Sequence, residues 1–90
     1  MSESKYSVSL TTAASKSLRK LERSQKSKLI AAIEALAVEP RPAGVKKLQG
    51  GNGEFRIRVG SYRVVYEIRD RQLIILVLNV GHRREIYRTL

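Results

Sequence analysis

Cysteine is absent from this 90-residue chain, so neither a disulfide nor a thiolate metal site can be built. Histidine is almost absent. His82 stands alone, and with no visible carboxylate cluster it cannot assemble a zinc site. Acidic residues are scarce as well: 8 Asp and Glu face 18 Lys and Arg, a net charge of +10. Long apolar runs are missing. The longest spans residues 73–78, far short of the roughly 20 residues that cross a bilayer. The opening residues 1–5 carry no apolar signal-peptide core, so a cytoplasmic location is expected, without a membrane partner. Repeats, low-complexity stretches and linkers are also missing. Both prolines and four of the six glycines fall within residues 40–53, which reads as one long loop.

What is present suits a single domain over residues 1–90, and an apolar fraction of 42% argues against disorder. The charge is not confined to a tail. Residues 1–45 carry eight cations and four anions, and residues 46–90 carry ten and four. The folded body itself is therefore cationic, and it should attract phosphate-rich or strongly acidic partners.

Residues 5–10 alternate, with Tyr6, Val8 and Leu10 on one side, as in a half-buried strand. Thr11 or Thr12 can cap a helix running to about Arg23, in which Leu10, Ala14, Leu18 and Leu21 recur at helical spacing. Ser24 can cap a second helix with Leu29, Ile33, Leu36 and Ala37 as its apolar stripe, stopped by Pro40 and Pro42. So short a link predicts an antiparallel helix pair. Strands are expected at 54–59, 62–69 and 73–80, with a possible short one at 45–48. The last barely alternates, which suggests a central strand covered on both faces, ended by Gly81. The expected fold is α+β. Two N-terminal antiparallel helices pack on one face of a curved, mainly antiparallel four-stranded sheet, in the order β-α-α-β-β-β, followed by a short C-terminal helical turn.

Gly60-Ser61 between two alternating runs is a two-residue hairpin loop, with glycine at the first central position as a type II′ turn requires. That loop fixes the register: Val59 opposite Tyr62, Ile57 opposite Val64 and Phe55 opposite Tyr66 form an apolar side. On the reverse side Arg58 faces Arg63, Arg56 faces Val65, and Glu54 faces Glu67. Any one charged strand position is most simply a solvated surface. Like charges directly across a sheet, however, destabilise it by a few tenths to about 1 kcal/mol. Three converging arginines are better explained as an anion site, because the planar guanidinium fork matches phosphate.

Downstream of the last strand comes Gly81-His82-Arg83-Arg84-Glu85-Ile86-Tyr87. In a helical turn Arg83 and Tyr87 would share a face, where Tyr87 could either cover the core edge or stack on a base. Lys46 and Lys47 add candidate phosphate contacts, although each taken singly reads as a solvated loop residue.

With its two N-terminal helices, Lys47-Leu48-Gln49-Gly50, the run from Phe55 to Tyr66 and the segment from Gly81 to Tyr87, the chain resembles the RelE branch of the RelE/ParE toxin superfamily of toxin–antitoxin modules. The resemblance implies a curved sheet that cradles RNA. It also implies cleavage of messenger RNA in the A site of the ribosome, with the substrate's own 2′-hydroxyl as nucleophile and no metal or cofactor. Arg56, Arg58, Arg63, Arg83 and Tyr87 match the family's catalytic positions, and Lys46, Lys47, His82 and Arg84 count as RNA contacts. Positions 56 and 58 are often lysine in the family. Arginine is a poor base at neutral pH, so Arg56, Arg58 and Arg63 are cast as clamps on the scissile phosphate, with Arg83 at the leaving oxygen. The base stays open between Tyr87, His82 and no dedicated group. The implied partners are an acidic antitoxin that wraps the toxin, and operator DNA reached through it. Two rival readings share the scaffold: a gyrase poison of the ParE branch, and an RNA- or ribosome-binding module without chemistry.

Overall fold

A computed structural model describes residues 5–48 and 53–82 of the chain. The elements are β1 (Ser7–Leu10), α1 (Thr12–Arg19), α2 (Arg23–Val38), β2 (Lys46–Lys47), β3 (Glu54–Val59), β4 (Tyr62–Arg69) and β5 (Ile74–His82). They form a five-stranded sheet in the order β1-β5-β4-β3-β2. β1 runs parallel to β5 and every other pair is antiparallel. The expected α+β fold is therefore present, with one correction. The sheet has five strands rather than four, because Lys46 and Lys47 pair with Arg56 and Phe55 as a short edge strand.

Helix α1 begins where its cap says it should. Thr11 is extended (φ −70°, ψ 165°) and its hydroxyl oxygen accepts the Ala14 N–H at 3.1 Å. The same hydroxyl donates to the carbonyl of Leu78 at 2.7 Å, while the Thr11 N–H reaches the Val77 carbonyl at 3.0 Å. The Leu78 carbonyl needs that donor because β5 is irregular at this point. Val65 pairs with Asn79 but its neighbour Tyr66 pairs with Val77, so Leu78 is an extra residue in a β-bulge. The bulge explains why the sequence of this strand fails to alternate. It lets Ile75, Val77 and Val80 all enter the core at uneven spacing, whereas Ile74, Leu76 and Leu78 stay half-buried. The expected cover on both faces is thus complete on the helix side alone. Nor does Gly81 end the strand, which pairs on through His82.

The helices also differ in detail from the sequence reading. α1 stops at Arg19 instead of running to Arg23, because the chain tightens into a turn with the Leu21 N–H on the Leu18 carbonyl, bringing Leu21 against the core. Glu22, not Ser24, is the N-cap of α2, and its carbonyl accepts the Lys26 N–H at 2.9 Å. Ala14 and Leu18 of α1 with Leu29, Ile33 and Leu36 of α2 pack on Val64, Tyr66, Ile75, Val77 and Val80, so both helices lie on one face of the sheet. The C-terminal helical turn expected at 83–87 lies outside the described residues.

The centre of this core is polar at one atom. Tyr66 is fully buried, yet its hydroxyl donates to the Pro40 carbonyl at 2.6 Å, pinning the loop after α2. Burial pushes its pKa up to about 12, with the positive charge of Arg41 opposing. Nearby, Asp70 accepts from the Tyr6 hydroxyl at 2.7 Å and from Arg41 at 3.1 Å. The Arg41 guanidinium carbon also sits 5.5 Å from the Phe55 ring centroid.

Two stability predictions follow from these contacts. Thr11→Ala removes a helix cap and strands the bulge carbonyl, so urea unfolding should show a loss of about 1–3 kcal/mol. Thr11→Ser should recover most of it, and a loss under about 0.5 kcal/mol would mean that the cap is dispensable. Tyr66 titrates higher in the folded state than in the unfolded one, so the unfolded chain loses its proton first. Its stabilising share is present below pH 10 and fades as pH rises toward about 12. Stability measured across that window should fall more steeply for the wild type than for Tyr66→Phe. Parallel curves would contradict the assignment.

Candidate functional site

The hairpin turn has the geometry its sequence demands. Gly60 takes φ +61°, and Leu73 is the one non-glycine with positive φ among the described residues, so Ser61 does not share that conformation. The resulting register matches expectation at every pair, Arg58 opposite Arg63 and Arg56 opposite Val65 included. Pairing then carries the pattern outward on both sides. Lys46 of β2 lies beside Arg56, and Gly81 of β5 lies beside Arg63. Side chains of paired residues share a sheet face. One row is therefore Lys46, Arg56, Val65 and Asn79, and the next is Arg58, Arg63 and Gly81. Both rows lie on the face opposite the helices.

These rows enclose a hollow of about 260 Å³ lined by Gly44, Lys46, Arg56, Arg58 and Arg63. Four cations and no carboxylate border it among the described residues. The nearest acids on this face belong to the next row, Glu54 opposite Glu67, and Glu67 accepts from Arg69 at 2.8 Å. Gly44 (φ +85°), with open space around it, brings the loop to the rim without a side chain in the opening. Such a hollow attracts a compact polyanion, and the guanidinium forks can grip its oxygens in pairs.

One expectation about the arginines needs correction. Arg63 departs from the solvated surface that a charged strand position most simply implies. It lies on the right face but is only 3% exposed, while Arg58 is open and Arg56 half-buried. β4 is the middle strand, so Arg63 has strand neighbours on both sides, Arg58 on one and Gly81 on the other. Gly81, which the sequence reading takes only as a strand stop, is the β5 partner of Arg63. Extending the hairpin register by one more strand would have revealed it.

The other candidates separate. Lys46 joins the hollow, whereas Lys47 pairs with Phe55 and shares its opposite face. His82 pairs with Tyr62, also on the helix side, and the two rings meet edge to face at 5.6 Å. The structure therefore does not bring His82 to the arginines. Arg83, Arg84 and Tyr87 lie outside the described residues. Among the described residues no three His, Cys, Asp or Glu side chains come together as a metal ion would require, and no helix is long and apolar enough to cross a membrane.

Known proteins share this architecture. The family model described as ParE toxin of type II toxin-antitoxin system, parDE, matches residues 8–87. Toxin RelG of Mycobacterium tuberculosis is 34% identical over 88 residues, which span 92% of this chain and 97% of RelG. The RelE–RelB complex of Pyrococcus horikoshii OT3 superposes with a TM-score of 0.78 at 27% identity, covering 88% of this chain and 96% of that one. The toxin–antitoxin complex RelBE2 of M. tuberculosis gives a TM-score of 0.76 at 31% identity, over 87% of this chain and 98% of the other.

A cluster of like charges held by strand register should store strain that is measurable without any substrate. Arg58→Gln removes the cross-strand repulsion with Arg63 and should raise stability by roughly 0.2–1 kcal/mol at low ionic strength. The gain should shrink in high salt as screening replaces the substitution. A neutral or destabilising result at low salt would show that the arginines do not repel one another across the hairpin.

Proposed function

Since this chain belongs to the ParE toxin family and is the toxin of a type II toxin–antitoxin system of the RelE/ParE kind, we propose that it is an endoribonuclease that cleaves messenger RNA in the ribosomal A site and so arrests translation in the cytoplasm. The observation that carries this reading is the hollow of Lys46, Arg56, Arg58 and Arg63, four cations converging where a phosphate would sit. The likeness to Toxin RelG and to the RelE component of the complexes supports the same branch.

The chemistry suits side chains that bind charge better than they move protons. The 2′-oxygen of one ribose attacks the adjacent phosphorus, the bond from phosphorus to the 5′-oxygen breaks, and a 2′,3′-cyclic phosphate and a free 5′-hydroxyl result. Negative charge grows on the non-bridging oxygens and on the departing 5′-oxygen. Arg56, Arg58 and Arg63 hold the former, and fixed donors aimed at developing charge act most strongly in a partly dry site. Buried Arg63 is the floor of the clamp, while exposed Arg58 is its open wall. Arg83 is assigned to the leaving oxygen and Tyr87 to stacking on a base, with Lys47 and Arg84 as further contacts along the RNA. The 2′-hydroxyl proton leaves to solvent, or to Tyr87 in its phenolate form, and a proton from solvent completes the departing 5′-hydroxyl beside Arg83; His82 is dropped as base because its ring lies on the helix side. No step needs a metal or cofactor. The partner that silences the toxin is a cognate antitoxin. It is acidic to match a charge of +10, and it carries the complex to operator DNA.

Primer extension on messenger RNA during in vitro translation tests the reading. Wild-type protein should give discrete cuts, suppressed by the antitoxin, and Arg58→Ala or Arg63→Ala should slow them about a hundredfold or more. Because Arg63 is buried, its variant must first be shown to be folded, and exposed Arg58 is the cleaner test. Tyr87→Phe separates stacking, which survives, from a role of the hydroxyl, which does not. The match to the ParE family model favours one second reading, poisoning of a DNA gyrase. Replication arrest with intact messenger would establish that reading and end the first.

A further inference from the structure

On the helix side of the sheet, at the same end as the arginines, a second hollow of about 350 Å³ is lined by Ser17, Lys20, Leu21, Tyr62, Val80, Gly81 and His82. Its size is at the lower end of the range for small-ligand pockets, about 300–1,000 Å³. Two features distinguish it from a packing gap. The Tyr62 and His82 rings stand edge to face within it, offering an aromatic wall against which a planar group can lie. Lys20 in its lining also belongs to a basic surface. Lys16, Arg19 and Lys20 recur at the spacing that places them together on the outer side of α1, away from buried Ala14 and Leu18, and exposed Arg23 follows across the turn. None of these four cations enters an ion pair among the described residues. Glu22 is the one acid in residues 16–28, against six cations.

Gly81 connects the two hollows. It pairs with Arg63, which lines the first hollow, and itself lines the second. We propose that this second hollow is an RNA subsite: a nucleotide flanking the one held by the arginines turns round the end of β4 and β5, lays its base against Tyr62 and His82, and directs its phosphate to Lys20, with the neighbouring phosphates on Lys16, Arg19 and Arg23. The proposal rests on the reading of this chain as an RNA-directed toxin. Single-stranded RNA is the occupant because the site joins the two parts such binding requires, a cationic track and an aromatic platform. An acidic protein would use the cations, whereas the ring pair in the hollow offers the planar contact that a base makes.

The full-length chain is titrated with a fluorescein-labelled 2′-O-methyl oligoribonucleotide, whose blocked hydroxyls prevent cleavage, and anisotropy is read over a series of salt concentrations. Each variant is first checked for a wild-type unfolding midpoint. Lys16→Gln with Lys20→Gln should reduce the steepness of log affinity against log salt by about 1.4, the expectation for two lost contacts to a single strand. His82→Ala should weaken binding on the order of tenfold, the scale for a lost stacking partner, with little change in salt slope. Tyr62→Phe keeps the ring and the partly buried packing and should bind normally. In a parallel oligonucleotide carrying 4-thiouridine, photo-crosslinks should map to Tyr62 or His82. Affinity, slope and crosslinks unchanged in the lysine and histidine variants would overturn the proposal. So would a lysine pair that loses its antitoxin while keeping its RNA. Arg56→Ala with Arg58→Ala serves as the reference. If it weakens binding and the lysine pair does not, the arginine site stands without this subsite; if neither does, both readings fall together.

Discussion

A single left-handed glycine decides which face every residue of the central hairpin occupies. With φ of +61° at Gly60 and an ordinary backbone at Ser61, the loop between β3 and β4 holds two residues and one register. A slip of β3 by one position would turn Arg56 and Arg58 toward the core and expel Phe55, Ile57 and Val59, and a slip of β4 would exchange Arg63 for Val64 and Tyr66 in the same way. The fold and the site thus share one specification. The residues that make the sheet pack on the helices alternate with Arg56, Arg58 and Arg63 on its other face.

That interleaving also explained why the hairpin was legible from sequence. A two-residue loop flanked by period-two alternation leaves no freedom, so all six pairs of β3 and β4 follow from counting outward. The helix stripes of Leu29, Ile33 and Leu36 were legible for the same reason, being periodic. What escaped was aperiodic. The bulge at Leu78 breaks alternation, and its uneven apolar spacing looked like a strand buried on both faces. The end of α1 depends on Leu21 turning back onto the core, a tertiary event that overrides a continuing helical pattern. His82 is close in sequence to Gly81, the β5 partner of Arg63. Yet one residue of alternation past Gly81 sends it to the opposite face.

The bulge carries more than irregularity. By adding one residue to β5 it lets Val77 and Val80 both face the helices while still presenting Gly81 to Arg63. A regular strand that kept Val77 inward would have placed Val80 outward and Gly81 toward the helices. The cost is a carbonyl at Leu78 outside the regular ladder, and Thr11 meets it with the hydroxyl that also starts α1. One threonine therefore ties the helix layer to the strand residue whose displacement sets the floor of the cationic hollow. Loosening that tie should disturb both layers, which is why a helix cap distant in sequence from the arginines belongs to their mechanical support.

Magnitudes decide whether such a site is tolerable. Facing arginines cost up to about 1 kcal/mol across the hairpin. On the other side of the same strands, burying a side chain such as Val64 or Tyr66 contributes roughly 1.5–3 kcal/mol relative to exposure. Both are at 0% exposure, and their partners Ile57 and Phe55 pack against the same cluster. The apolar pairs win by a margin of a few kcal/mol, so the charges can be held together before any anion arrives. A polyanion entering the hollow then meets cations whose mutual repulsion the core has already offset, and part of the repulsion is relieved on binding. This ordering also fixes where substitutions bite. Weakening the core at Val64 or Tyr66 releases the register and dissolves the cluster, whereas removing one exposed arginine relaxes the sheet and weakens only its hold on the anion.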